Sequence, residues 1–226
     1  LTSPKAVWTA RNISFDENGF ALFNVVYNKK SLFRMKLSVP GLHNVSNSLA
    51  CFAACYSLGI SPQSIRDSLR KFTGTHRRFE HKGIVDGIRV VDDYAHHPTE
   101  IKATLKAARC CTRGRILCVF QPHTYSRTYD LINEFSTAFT MADKVYITDI
   151  YSASREKDTG LIHSRDLVER INRNINNAEY ISSFKDTVDR LIQEASSGDL
   201  IITMGAGDVN KIGDMYLEEK KIRAVG

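Results

Sequence analysis

Val91-Asp92-Asp93-Tyr94-Ala95-His96-His97-Pro98-Thr99-Glu100-Ile101 joins an apolar run, Ile88 to Val91, to a helical pattern opened by Pro98. The run is short enough to be a buried strand. It stops at two carboxylates, an aromatic ring and two imidazoles, so the carboxyl end of a strand delivers acids, bases and a stacking face to one point. In α/β proteins ligands bind in the crevice outside the carboxyl ends of the strands. Ionisable groups packed into so short a turn exceed what folding requires, and the turn is read as functional.

Working outward, strand patterns fall at 80–86, 88–93, 115–120, 144–148, 179–181 and 199–203, and helical patterns at 98–111, 128–141, 164–175, 184–196 and 208–220. This alternation predicts an α/β unit with a mostly parallel sheet covered on both faces. Upstream, Thr73-Gly74-Thr75-His76-Arg77-Arg78 is a composition break, and the chain is divided there into units 1–74 and 75–226. The first unit reads as a three-stranded meander, Val7 to Phe15, Phe20 to Tyr27 and Leu32 to Val39, with turns at 16–19 and 28–30. Two amphipathic helices follow. One runs from Asn44 to Leu58, with Val45, Leu49, Phe52, Ala53 and Tyr56 facing inward, and is closed by Gly59; the other runs from Ser61-Pro62 to about Phe72.

Hydrophobic content of 42% and charged content of 25% fit a soluble globular protein. No apolar run reaches the roughly 18–20 residues of a membrane span, and no signal-peptide pattern is present. The chain starts at Leu1 rather than Met, and a longer parent is expected. Its net charge of +6 is compatible with anionic ligands such as nucleotides. The basic residues do not cluster with stacking aromatics, which argues against nucleic acid. Five cysteines without Cys-x-x-Cys spacing (Cys51, Cys55, Cys110, Cys111, Cys118) read as buried reduced thiols in a cytoplasmic setting.

Five constellations could carry chemistry. His43 and Asn47 lie four apart at a helix start and suit the edge of a purine; the plainer reading is helix capping by Asn44 or Asn47. In Arg77-Arg78-Phe79-Glu80, neighbouring arginines of an extended segment point to opposite sides, so one of them, taken as Arg78, suits phosphate; the alternative is a surface ion pair with Glu80. In the 92–97 turn a carboxylate suits a sugar diol, Tyr94 a base, and His96 or His97 an anion or amine. A metal held by Asp92, Asp93, His96, His97 and His123 is the rival reading, but the spacing matches no common zinc motif and no metal ligands are assigned. Gln121-Pro122-His123-Thr124-Tyr125-Ser126-Arg127-Thr128 ends the next strand and is expected beside the 92–97 turn, with Arg127 as a carboxylate or phosphate clamp; the alternative is a surface arginine at a helix start. Gly205-Ala206-Gly207-Asp208 follows the last strand, and no Gly-x-x-x-x-Gly-Lys-Ser/Thr loop occurs anywhere.

These blocks, together with Gly41-Leu42-His43-Asn44-Val45-Ser46-Asn47 and in this order, resemble the Mur ligases of bacterial cell-wall synthesis. The resemblance covers essentially the whole chain. It implies a Rossmann-like C-terminal domain at 75–226, preceded at 1–74 by the strand-meander and helical end of a central ATPase domain. It also implies a cytoplasmic ligase that uses ATP and Mg²⁺ to join L-alanine to UDP-N-acetylmuramate through an acyl phosphate, without nucleic acid or membrane as partner. Most Mg²⁺ ligands would lie elsewhere in the parent. By resemblance His43 and Asn47 contact adenine, Arg78 with Arg77 reaches the phosphates, and Asp93 holds the ribose with Tyr94 nearby. Tyr94, His96, His97, His123 and Arg127 would face the incoming amino acid, with His96, Arg127 and Arg78 closest to the chemistry. Thr124 stands where many relatives carry a second arginine, so the carboxylate clamp would rest on Arg127. A ligase recycling murein peptides, a non-catalytic binding module and a metal-dependent hydrolase are the alternatives; without the phosphate loop, 1–226 alone is expected to be inactive.

Overall fold

The structure, a computed structural model, describes residues 6–17, 19–158 and 160–225. It divides into two compact units, Leu1–Thr75 and His76–Gly226. In the first, β1 (Trp8–Phe15), β2 (Phe20–Tyr27) and β3 (Lys30–Pro40) form an antiparallel sheet in chain order. Asn18, in the expected first turn, lies outside the described residues. Helices α1 (Leu42–Ser57) and α2 (Pro62–Lys71) share a core with this sheet, in which Val45, Leu49, Phe52 and Ile65 join Phe23, Val25, Met35 and Leu37. Ala53 is exposed, so the inward stripe of α1 is narrower than its sequence suggested. Ser61 caps α2 by accepting a hydrogen bond from the Ser64 N–H at 3.2 Å.

The second unit is a six-stranded sheet built from β4 (Glu80–Val85), β5 (Ile88–Asp93), β6 (Ile116–Phe120), β7 (Lys144–Ile147), β8 (Ala178–Tyr180) and β9 (Leu200–Met204). Its order is β4-β5-β9-β6-β7-β8. Only β4 pairs antiparallel, with β5, while the remaining neighbours are parallel. The sheet is thus mostly parallel and mixed with helices, as the alternation of patterns predicted. Burial on both faces explains why β6 and β9 read as unbroken apolar runs. Ile116, Cys118, Phe120, Ile202 and Met204 pack on the side of α3 (Pro98–Cys110), α5 (Ile132–Ser136) and α6 (Ser164–Asn174). Leu117, Val119, Tyr146 and Ile201 face α7 (Phe184–Glu194) and α8 (Asn210–Val225).

One helix departs from expectation. The pattern at 128–141 is two short helices, α4 (Tyr125–Asp130) and α5, which meet at Leu131. The hydroxyls of Ser136 and Thr137 donate to the carbonyls of Asn133 and Glu134, side-chain bonds that compete with helix continuation and coincide with the end of α5. All five cysteines are free; Cys110 is exposed, against the expectation of burial, and Cys51 and Cys55 are only half-buried. Among the described residues no helix is long and apolar enough to cross a membrane.

Candidate active site at the carboxyl edge of the sheet

The strand order changes the expected neighbourhood. Between β5 and β6 lies β9, so the Gly205–Asp208 loop stands between the 92–97 turn and the 121–128 loop rather than at their side. The two outer loops still meet through their rings: the imidazoles of His96 and His123 have centroids 5.6 Å apart, edge to face.

The turn after β5 is built by its own acids. Asp92 is fully buried, taking the Thr203 hydroxyl at 2.6 Å on one oxygen and the Arg77 Nε at 2.9 Å on the other. Asp93 is also buried, and each of its oxygens accepts a backbone N–H at 2.8 Å, one from Ala95 and one from Phe79. Burial pushes the Asp93 carboxyl above the ordinary carboxylate range, with these hydrogen bonds and the Arg78 charge opposing it. The expectation that Asp93 holds a ribose therefore meets a carboxylate already closed within the fold. His97 is likewise spent locally. Its Nδ1 accepts the Thr99 N–H at 3.3 Å, and Glu100 reaches back to the His97 N–H at 3.3 Å, a reciprocal cap that starts α3.

Tyr94 and His96 are what the turn presents. The Tyr94 N–H donates to the Arg77 carbonyl at 2.7 Å, and its ring lies 5.4 Å from that of His96. The His96 Nδ1 lies 2.9 Å from the Tyr94 carbonyl, which can only accept. Nδ1 must carry a proton in that contact, which leaves Nε2 as the ring nitrogen the turn does not use. On the other loop, Arg127 donates from one terminal nitrogen to the His123 carbonyl at 3.2 Å, with the same nitrogen 3.1 Å from His123 Nδ1. Burial first, then the charges of Arg127, His96 and Arg155, lower the pKa of His123 below its ordinary 6.5. Thr124, at the helix start in this loop, is the N-cap residue of α4.

The two arginines of the 77–80 segment diverge. Arg77 is half-buried with all three guanidinium nitrogens bonded, whereas the Arg78 side chain is 54% exposed, 3.8 Å from Glu100 and 6.0 Å from the Tyr94 ring. Arg77 as a phosphate ligand is thus at odds with its geometry. His43 and Asn47 are exposed on the first turns of α1, and the Asn47 amide donates to the Asn44 side chain at 3.1 Å.

Sequence reasoning missed Tyr151 and Glu156. Tyr151 bridges to His123 and stacks on its ring at 5.9 Å. Glu156 accepts the Ser126 N–H at 3.0 Å and the Ser126 hydroxyl, closing the start of α4 beside Arg127. Both follow β7 at the same sheet edge, and that position was the available signal. Among the described residues, no group of three or more His, Cys, Asp or Glu side chains is placed to hold a metal ion. Chemically, the edge offers an imidazole whose Nε2 is not used by the turn, guanidinium groups for anions and an aromatic face.

Residues 77–207 match the family described as Mur ligase, glutamate ligase domain. The whole chain aligns at 59% identity with 48% of a UDP-N-acetylmuramate–L-alanine ligase of Acetivibrio thermocellus. A ligase of the same description from Caldanaerobacter subterraneus is 49% identical over 96% of this chain and 47% of its own length. The crystal structure of the Thermotoga maritima UDP-N-acetylmuramate–alanine ligase superposes on 98% of the chain with a TM-score of 0.81 at 26% identity, using 47% of that protein. A murein peptide ligase from Psychrobacter arcticus superposes on 96% of the chain and 44% of its own, with a TM-score of 0.67 at 29% identity. The chain spans about half the length of the curated relatives it matches.

Proposed function

The chain belongs to the Mur ligase family, and on that premise we propose that it is part of a cytoplasmic ATP-dependent ligase joining L-alanine to UDP-N-acetylmuramate. The observation carrying this reading is the continuous row His96, His123, Arg127, beside Tyr94 and an exposed Arg78, on one sheet edge. The relatives' names supply the substrates.

In the proposed reaction the muramate carboxylate attacks the γ-phosphate of ATP and ADP leaves. The alanine amine then attacks the acyl carbon, and phosphate departs as the amide forms. Such chemistry needs positioning and charge neutralisation more than a reactive side chain. Arg78 neutralises phosphate. Arg127, already anchored by His123 through one terminal nitrogen, has further donors for the alanine carboxylate. His96 takes the proton released by the attacking amine at Nε2, the ring nitrogen left free by the Nδ1 contact with the Tyr94 carbonyl. His123 and Tyr151 form the wall against which the amino acid rests, and Asp93 shapes the turn. In the first unit, His43 and Asn47 contact adenine from one face of α1. Mg²⁺ would accompany the ATP phosphates, held mainly by residues elsewhere in the parent protein.

The test is ATP-dependent formation of UDP-N-acetylmuramoyl-alanine by the full-length protein. His96→Ala and Arg127→Ala should each raise the alanine KM or lower kcat by about a hundredfold, the scale of losing one positioned polar group. Residues 1–226 alone, which lack the phosphate loop, should give no turnover. Wild-type-like kinetics in both variants would remove these residues from the site, and preference for a peptide over alanine would favour the recycling reaction.

A further inference from the structure

We propose that Arg77 is a positioning residue that locks the Gly205–Gly207 loop to the Tyr94–His96 turn, leaving Arg78 as the guanidinium that meets phosphate; this rests on the ligase reading above. The planar fork of Arg77 is used on three sides. Nε donates to Asp92 at 2.9 Å, one terminal nitrogen to the Gly207 carbonyl at 2.8 Å, and the other to the Gly205 carbonyl at 2.7 Å. Its face covers the Tyr94 ring at 5.0 Å. The backbone is pinned as well: the Arg77 N–H donates to Glu80 at 2.8 Å, and its carbonyl accepts the Tyr94 N–H at 2.7 Å.

A phosphate could take this guanidinium only by stripping three good hydrogen bonds from a side chain that is 14% exposed, against an Asp92 side chain that is 1% exposed. Leaving that carboxylate buried without its partner carries a high cost. The backbone conformation agrees. Arg77 and Phe79 sit at φ of 55° and 48°, a left-handed region that side chains other than glycine seldom adopt. These two residues turn the chain so that Arg77 goes inward and Arg78 outward. Strain of this kind persists where surrounding contacts over-determine it.

The contacts of Arg77 lead to both imidazoles. Through Tyr94 it bears on His96, whose Nδ1 is held by the Tyr94 carbonyl. Through Gly207 it bears on His123. A Cβ at Gly207 would lie 2.3 Å from the Gln121 amide oxygen and 2.7 Å from the Tyr151 ring, so this backbone packs directly under the tyrosine that stacks on His123. A lysine cannot reproduce the effect, because one ammonium cannot span three acceptors arranged for a planar fork.

The experiment compares Arg77→Lys and Arg77→Gly with wild type in the full-length protein; glycine suits the left-handed backbone and isolates the loss of the side chain. Without nucleotide, backbone amide NMR signals of Gly205, Ala206 and Gly207 and the ring signals of His96 and His123 should shift in both variants. The alanine KM should rise about tenfold while the ATP KM stays within about twofold, the cost of a small misplacement in the amino-acid site. Millimolar guanidinium should restore much of the lost rate in Arg77→Gly and none in Arg77→Lys. A large rise in the ATP KM with unmoved loop and ring signals would overturn the proposal in favour of direct phosphate contact; unchanged kinetics would overturn it outright. Should wild-type protein fail to ligate, the ligase reading falls, and the NMR shifts alone decide whether Arg77 locks the loop.

Discussion

His123 reports the electrostatics of the candidate site. Burial and the neighbouring cations hold its pKa below 6.5, so it is neutral at pH 7. A depressed imidazole pKa contributes stability that is full above the unfolded value and is lost as pH falls through the folded one. Arg127→Ala should move the His123 titration, followed by the NMR signal of its ring, upward toward 6.5, by less than the whole depression because burial is its largest cause. A downward move or none would mean that Arg127 does not bear on this ring. Much of the residue-level site was legible, because Tyr94, His96, His123 and Arg127 all sit just past the ends of apolar runs. The roles of Arg77 and Arg78 were not separable, since nothing in a pair of arginines announces a left-handed backbone at the first. His97 was legible as a cap had its place before Pro98, three residues from Glu100, been weighed as such.

At the scale of elements, the central strands are joined by a polar clasp at their amino ends. Asp199 accepts the Arg115 N–H at 3.0 Å, an Arg115 guanidinium nitrogen at 2.7 Å and the Ser196 N–H at 3.0 Å, tying the entry of β6 to the entry of β9. Burial, the largest single influence, works to raise the Asp199 pKa, but the bonds from Arg115 and Ser196 outweigh it and hold the carboxyl below its ordinary 3.8. Its contribution is therefore present above the unfolded pKa and is lost as pH falls through the folded one. Asp199→Asn should cost about 1–3 kcal/mol, read as a lower midpoint in urea at pH 7, and the gap to wild type should shrink in acid. An equal gap at low pH would place the effect elsewhere. The positions of the strands were readable from apolar runs bounded by polar turns. The early end of α5 was not, because the Ser136 and Thr137 hydroxyls bonding their own helix leave no periodic signature.

For the whole molecule, alternating patterns were enough to predict a mostly parallel sheet, but not its order. Strand order depends on which helices cross which face, information spread over the chain rather than held in any window. The order matters because β9, last along the chain, is second to none in burial: all five of its residues are buried, between β5 and β6. A nascent polypeptide leaving the ribosome consequently displays one unpaired edge each of β5 and β6, whose other edges pair with β4 and β7, until residues 200–204 emerge. A stop codon after Asp199 should then be as damaging as one before β5: a chain ending there is expected to aggregate or to depend on chaperone holding. Finding that product monomeric, with native-like near-ultraviolet circular dichroism, would show that the sheet closes without its middle.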